Sequence, residues 1–125
     1  MGQLLDGLLA AHGTREAILL SHDGSLRAHP QSIARHVAGD QAAKFAALQS
    51  GSCRAAELCG PDATPWQQTL IEFVGGFVFL LAVDETSYLA VSASALADVA
   101  EVALRMHLLV DKLAAATTAP ADFGA

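Results

Sequence analysis

The chain has little of several things, and each shortage removes a class of protein. Seven Lys and Arg stand against thirteen Asp and Glu, a formal net charge of −6. So acidic a domain is a poor match for a phosphate backbone, and no nucleic-acid partner is expected. There are two cysteines, Cys53 and Cys59. Their spacing is neither a zinc knuckle nor a C-x-x-C redox pair, and two thiols do not build a disulfide scaffold. They are read as small buried or half-buried apolar residues. The longest apolar run, residues 73–83, has eleven residues and is broken by Gly75-Gly76, far short of a membrane-spanning helix. Residues 1–6 carry no basic n-region, so a secretory signal is not expected, and Asp6 stands where a myristoylation motif wants Ser or Thr. The chain is expected to be cytoplasmic.

Catalytic motifs are missing too. There is no phosphate loop ending in Lys-Ser or Lys-Thr, no H-E-x-x-H and no G-x-S-x-G elbow. Ser21-His22-Asp23 has the letters of a triad, but consecutive residues cannot face one another in relay geometry. The histidines, His12, His22, His29, His36 and His107, are scattered and read singly as surface or cap residues. No enzyme, cofactor or metal is expected, and a binding or scaffolding role gains weight.

What is present is apolar sequence in patterned segments. The composition is 53% hydrophobic and 16% charged over 125 residues, which excludes a disordered chain and fits one domain. The apolar excess implies that some surface is buried against a partner. Residues 3–12 place Leu4, Leu5, Leu8 and Leu9 at helical offsets, with Gly13 as the C′ glycine. Residues 15–29 read as a β-hairpin around His22-Asp23-Gly24, ended by Pro30. Residues 41–59 read as a helix capped by Asp40 and stopped by Gly60-Pro61. On it Phe45, Leu48, Ser52, Ala55 and Leu58 recur at three and four, while Ala43, Ala47, Gly51 and Ala55 step by four with small side chains only. That small line suits close packing either on its own sheet or on a partner helix.

Residues 66–73 alternate as a strand, Gly75-Gly76 turns the chain, and residues 77–83 are apolar enough to be covered on both faces. Residues 88–92 make a last strand. Residues 96–115 make a helix with an apolar stripe through Val99, Val102, Met106, Leu109 and Leu113. The order is α-β-β-α-β-β-β-α, an α+β fold with one five-stranded antiparallel sheet between helices. One domain is expected over residues 1–116, with a flexible tail at 117–125.

In this order the chain resembles the Roadblock/dynein light chain superfamily, bacterial branch, whose fold is profilin-like. The resemblance is carried by Ala17-Ile18-Leu19-Leu20-Ser21-His22-Asp23-Gly24-Ser25-Leu26, by the alanine-rich helix at 42–58, by Gln68-Thr69-Leu70-Ile71-Glu72-Phe73 leading into Phe77-Val78-Phe79, and by the Ala-Leu-Arg-Met of the last helix. It is similar in particular to the Roadblock proteins of actinobacterial conservons, gene clusters that also hold a sensor-kinase-like protein and a Ras-like GTPase. Twenty-six alanines and no asparagine fit such a genome.

The resemblance implies a non-enzymatic homodimer that regulates or scaffolds a small Ras-like GTPase in a signalling complex, with hydrolysis stimulated, if at all, without an arginine finger. It implies recruitment to a membrane only through partners, the sensor-kinase-like protein among them. It implies pairing of the third strand across a two-fold axis, with the central helices side by side. The dimer candidates are Trp66, Gln68, Thr69, Leu70 and Glu72 on the strand and Phe45, Leu48, Ser52 and Ala55 on the helix, with the small line of Ala47 and Gly51 beside them. The candidates for GTPase contact are Arg35, Lys44 and Arg54. The alternative is a profilin-like or PAS-like small-molecule sensor, which would need a pocket of several hundred Å³.

Overall fold

In the computed structural model, which describes residues 2–10, 13–60 and 65–118, the two hairpin regions meet in one sheet. The elements run α1 (Gly2–Leu9), β1 (Thr14–Ser21), β2 (Leu26–Ala28), α2 (Arg35–Arg54) with a 3-10 segment (Ala55–Cys59), β3 (Gln68–Phe73), β4 (Gly76–Ala82), β5 (Ser87–Ser94) and α3 (Val99–Thr118). His12, Pro61 to Thr64 and the chain beyond Thr118 lie outside the described residues, and with them most of the expected tail.

The five strands are antiparallel in the order β2-β1-β5-β4-β3. Alternation sorts their side chains into two layers. On one face Ala17, Leu19, Phe79, Leu81, Leu89 and Val91 pack under α1 and α3, which contribute Leu5, Leu8, Val102, Met106 and Leu113. On the other, Ile18, Leu20, Leu80, Tyr88 and Ala90 pack under Ala38 and Ala42 of α2. The unbroken apolar run of β4 is thus explained: Phe79 and Leu81 serve one layer and Leu80 the other. Met106 is core, as its place in the stripe predicts.

Tertiary burial overrode local signals at several places. Helix α2 starts at Arg35, not after Asp40; Ala34 is its N-cap, in extended conformation and with no side-chain cap bond. Ala38 and Ala42 are fully buried one turn apart, and only a helix running straight through Gly39-Asp40 turns both onto the sheet. An interior glycine costs about 1 kcal/mol relative to alanine, less than that burial and its backbone bonds return. Helix α3 starts at Val99 rather than Leu96, with the Glu101 N–H donating to Asp98 Oδ1 at 3.1 Å as an N-cap.

Gly13 is not the cap of α1, which ends at Leu9. It enters β1 at φ +85°, and a Cβ there would lie 2.7 Å from Ala97. The hairpin turn between β3 and β4 is Val74-Gly75; Gly76 is already a strand residue opposite Phe73. A Cβ on Gly76 would sit 2.3 Å from the Ala93 carbonyl oxygen of β5, a contact that backbone cannot yield to cheaply. Both cysteines are exposed rather than buried, because no residue of the 3-10 segment is buried and the end of α2 overhangs the sheet.

Gly76→Ala is therefore expected to destabilise the protein by about 2 kcal/mol or more, while Gly75→Ala, with nothing within 4 Å of the added carbon, stays within about 0.5 kcal/mol. Parallel urea titrations of the two variants check this.

Candidate functional site: the β3 edge and the outer side of α2

Strand β3 pairs with β4 on one side and with nothing on the other among the described residues. Its register decides which backbone groups are free. The two-residue turn makes Phe73 and Gly76 a bonded pair, and the Ala82 N–H donates to the Gln67 carbonyl at 2.9 Å at the far end. Alternation then turns Thr69 and Ile71 toward β4, and leaves the N–H and C=O of Gln68, Leu70 and Glu72 pointing outward. Leu70, at 53% exposure, lies on the α3 side of the sheet and Phe73, at 57%, on the α2 side. A six-residue edge without lysine, proline or bulge, carrying exposed apolar side chains on both faces, is the kind that pairs with another strand.

The strand is locked to α2 by a run of hydroxyls. Trp66 Nε1 donates to Thr69 Oγ1 at 2.8 Å, Thr69 donates to Ser52 Oγ at 2.7 Å, and Ser52 donates to the Leu48 carbonyl at 2.9 Å. The Trp66 ring meets Tyr88 edge-on, with centroids 5.3 Å apart. Of the nine expected dimer residues, Trp66, Thr69 and Ser52 thus direct their polar atoms into their own protomer and hold the edge in place. Phe45 and Leu48 are half-buried against the α2-side core. Gln68, Leu70, Glu72 and Ala55 are exposed. The sequence reading passed over Val37, Phe73 and Val74, large apolar groups exposed on α2 or at the β3–β4 turn. For Phe73 the signal was available, since it ends an alternating strand that has no following cover.

The small line Ala43, Ala47, Gly51 and Ala55 faces solvent, so it does not serve packing on the chain's own sheet. Arg35, Lys44 and Arg54 are exposed along α2. Arg35 and Arg54 are its first and last residues, about 28 Å apart at 1.5 Å per residue, and Arg35 and Lys44, nine residues apart, point to opposite sides of the helix, so the three cations form no pocket. None has an ion-pair partner among the described residues, where Glu101–Arg105 is the one salt bridge.

Beside α2 a groove of about 410 Å³ is lined by Glu16, Gln41, Lys44, Phe45, Leu48, Val78 and Ser92. Gln41 Nε2 donates to Glu16, while Gln41 Oε1 is buried without a partner. No three of His, Cys, Asp and Glu converge as metal ligands among the described residues, and no helix there is long and apolar enough to cross a membrane.

The fold is thus a five-stranded antiparallel sheet with helices on both faces and an edge strand that carries exposed apolar side chains. Residues 1–93 match the family model of the Roadblock/LC7 domain, and the chain belongs to that family. Two Roadblock/LC7 domains from Streptomyces avermitilis are similar over nearly their whole length. One is 25% identical, covering 95% of this chain and 98% of the other, with a TM-score of 0.86. The second is 30% identical over 89% and 95%, with a TM-score of 0.71. MglB from Myxococcus xanthus shares the fold at 17% identity, a TM-score of 0.80 and 93% of each chain. No curated protein sequence matches.

Burial pushes the Tyr88 phenol above its ordinary value of 10.0. The folded state holds this proton longer than the unfolded chain does. Its contribution is complete below the ordinary tyrosine range and is lost as pH rises through the folded value. Absorbance titration of this sole tyrosine should give a midpoint above that of free tyrosine. Thr69→Val, which strands the Trp66 N–H, should cost about 1–3 kcal/mol in a urea titration followed by tryptophan fluorescence.

Proposed function

We propose that the protein is a homodimeric regulator or scaffold of a small Ras-like GTPase and has no catalytic activity of its own. The observation that carries the reading is the β3 edge, with Gln68, Leu70 and Glu72 offering outward backbone groups beside exposed Leu70 and Phe73. A two-fold axis at Leu70 makes this edge self-complementary and sets Gln68 opposite Glu72 of the partner subunit. The sheet then runs on through two protomers. The α2 helices come together on one face, and the small outward line of Ala47, Gly51 and Ala55 leaves room for close approach.

That joint α2 surface is the platform for the GTPase. Family membership supports a signalling partner of this kind, and Lys44 and Arg54 supply the cations on the outer side of α2. Arg35, Lys44 and Arg54 act by orienting the GTPase, since cations spread over about 28 Å do not converge on one reacting phosphate. We place the complex in the cytoplasm, with a sensor-kinase-like protein as its membrane link.

Leu70→Pro tests the dimer. The Leu70 N–H points away from β4, so proline there leaves the β3–β4 ladder intact and blocks the outer one. Light scattering should give twice the 12.9 kDa protomer mass for the native protein under dilute conditions and one protomer mass for Leu70→Pro and Leu70→Arg. The same variants should lose capture of a Ras-like GTPase encoded beside the gene. A native protein that is monomeric in dilute solution overturns the reading. The sensor alternative keeps one foothold, the groove with the unpartnered Gln41 Oε1; thermal-shift screening of small polar ligands separates the two, because Leu70→Pro leaves that groove untouched.

A further inference from the structure

Helix α3 carries two apolar stripes. Val102, Met106, Leu109 and Leu113 are buried on the sheet and account for the first. Leu104 and Leu108 lie one turn apart on the other side of the helix, at 60% and 54% exposure, with Ala100 exposed one turn before them. A helix that already has its core does not need a second stripe within the protomer. Helix α1 broadens the patch: Leu4, at 38% exposure, stands across a groove of about 270 Å³ from Leu108. Gly7 leaves the wall of that groove open, with nothing within 4 Å of the place a Cβ would occupy.

The charges beside the stripe indicate what covers it. Glu101 and Lys112 lie on the same flank, at opposite ends. Counted from the midpoint of Leu104 and Leu108, Glu101 is five residues before and Lys112 six after. At a rise of 1.5 Å these are about 7.5 and 9 Å away in opposite directions. A second α3 laid antiparallel across that midpoint faces like flank to like flank. Glu101 then comes level, to within about 1.5 Å, with Lys112 of the partner subunit, and two-fold symmetry repeats the pair. Arg105 lies nearest the axis, and Glu101 of its own helix already meets its charge at 3.6 Å, so two bare cations are not brought together.

We propose that the α1/α3 face is a second self-association surface, occupied by α3 of another copy running antiparallel. Leu104 of each copy comes level with Leu108 of the other across the axis. This face lies on the opposite side of the sheet from α2, so it is independent of β3 pairing and joins paired protomers into larger assemblies. The leucines supply the affinity; exposed ion pairs are weak and set the register.

Sedimentation velocity of the full chain over a concentration series tests this. The native protein should pass two protomer masses as concentration rises. Leu108→Glu should stop at two, Leu70→Pro should also stop at two through α3 alone, and the double variant should remain a single protomer. Glu101→Lys and Lys112→Glu should each weaken the upper step roughly tenfold, and the two together should restore it. Leu104→Ser serves as a milder variant, with circular dichroism confirming the fold of each. A mass distribution that Leu108→Glu and Leu104→Ser both leave unchanged overturns the proposal. If β3 pairing fails instead, Leu70→Pro leaves the distribution unchanged while Leu108→Glu still lowers it.

Discussion

Everything in this protein hangs on the pairing of β1 with β5. The ladder runs from Thr14 opposite Ala93 to Ser21 opposite Ser87 and joins segments about seventy residues apart in sequence. It places β5 at the centre of the sheet with β1 beside it, where each supplies side chains to both layers. The edges follow from it. With β5 bonded to β1, β4 can only add on the other side of β5, and β3, tied to β4 by a two-residue turn, is driven to the rim. The open strand is thus a product of the central ladder rather than of anything in β3 itself.

The local elements were legible because their signals are local. Asp-Gly at the first hairpin, alternation in β3, the doubly covered run of β4 and the stripe of α3 each depend on neighbours a few residues away. Asp23 illustrates it: its carboxylate accepts the Ser25 N–H at 2.9 Å, the side-chain closure an Asp-Gly turn implies. What was misread depended on distant partners. Gly39-Asp40 looks like a linker and cap until Ala38 and Ala42 are seen to need the same face of the sheet. Gly13 and Gly76 are glycines because Ala97 and Ala93 lie against them, more than fifteen residues away in sequence. The cysteines looked apolar by type, but their segment projects beyond the core.

The candidate surface was legible to a similar degree. An edge free of lysine and proline is visible in the letters, and the resemblance to the Roadblock superfamily implied which strand would hold it. The split among its residues was not. Trp66, Thr69 and Ser52 fill one hydrogen-bonded chain across seventeen residues of sequence, and no periodicity announces such a chain. The arrangement separates two tasks within one small patch: inward hydroxyls fix the angle between strand and helix, and outward backbone and leucine meet what lies outside. A Roadblock/LC7 domain built this way has a rigid rim on which a second strand can dock without first ordering a loop.

The long sequence separation of the central ladder also bears on how the chain is made. During synthesis the first half emerges with β1 unable to close, since its partner β5 is still to come, and such non-local pairing is slow. The β3–β4–β5 meander, by contrast, needs only adjacent turns. Its free rim can therefore be complete while the far side of β5 still awaits β1. The short turns let the meander close early, while the central ladder waits for strands about seventy residues apart to meet.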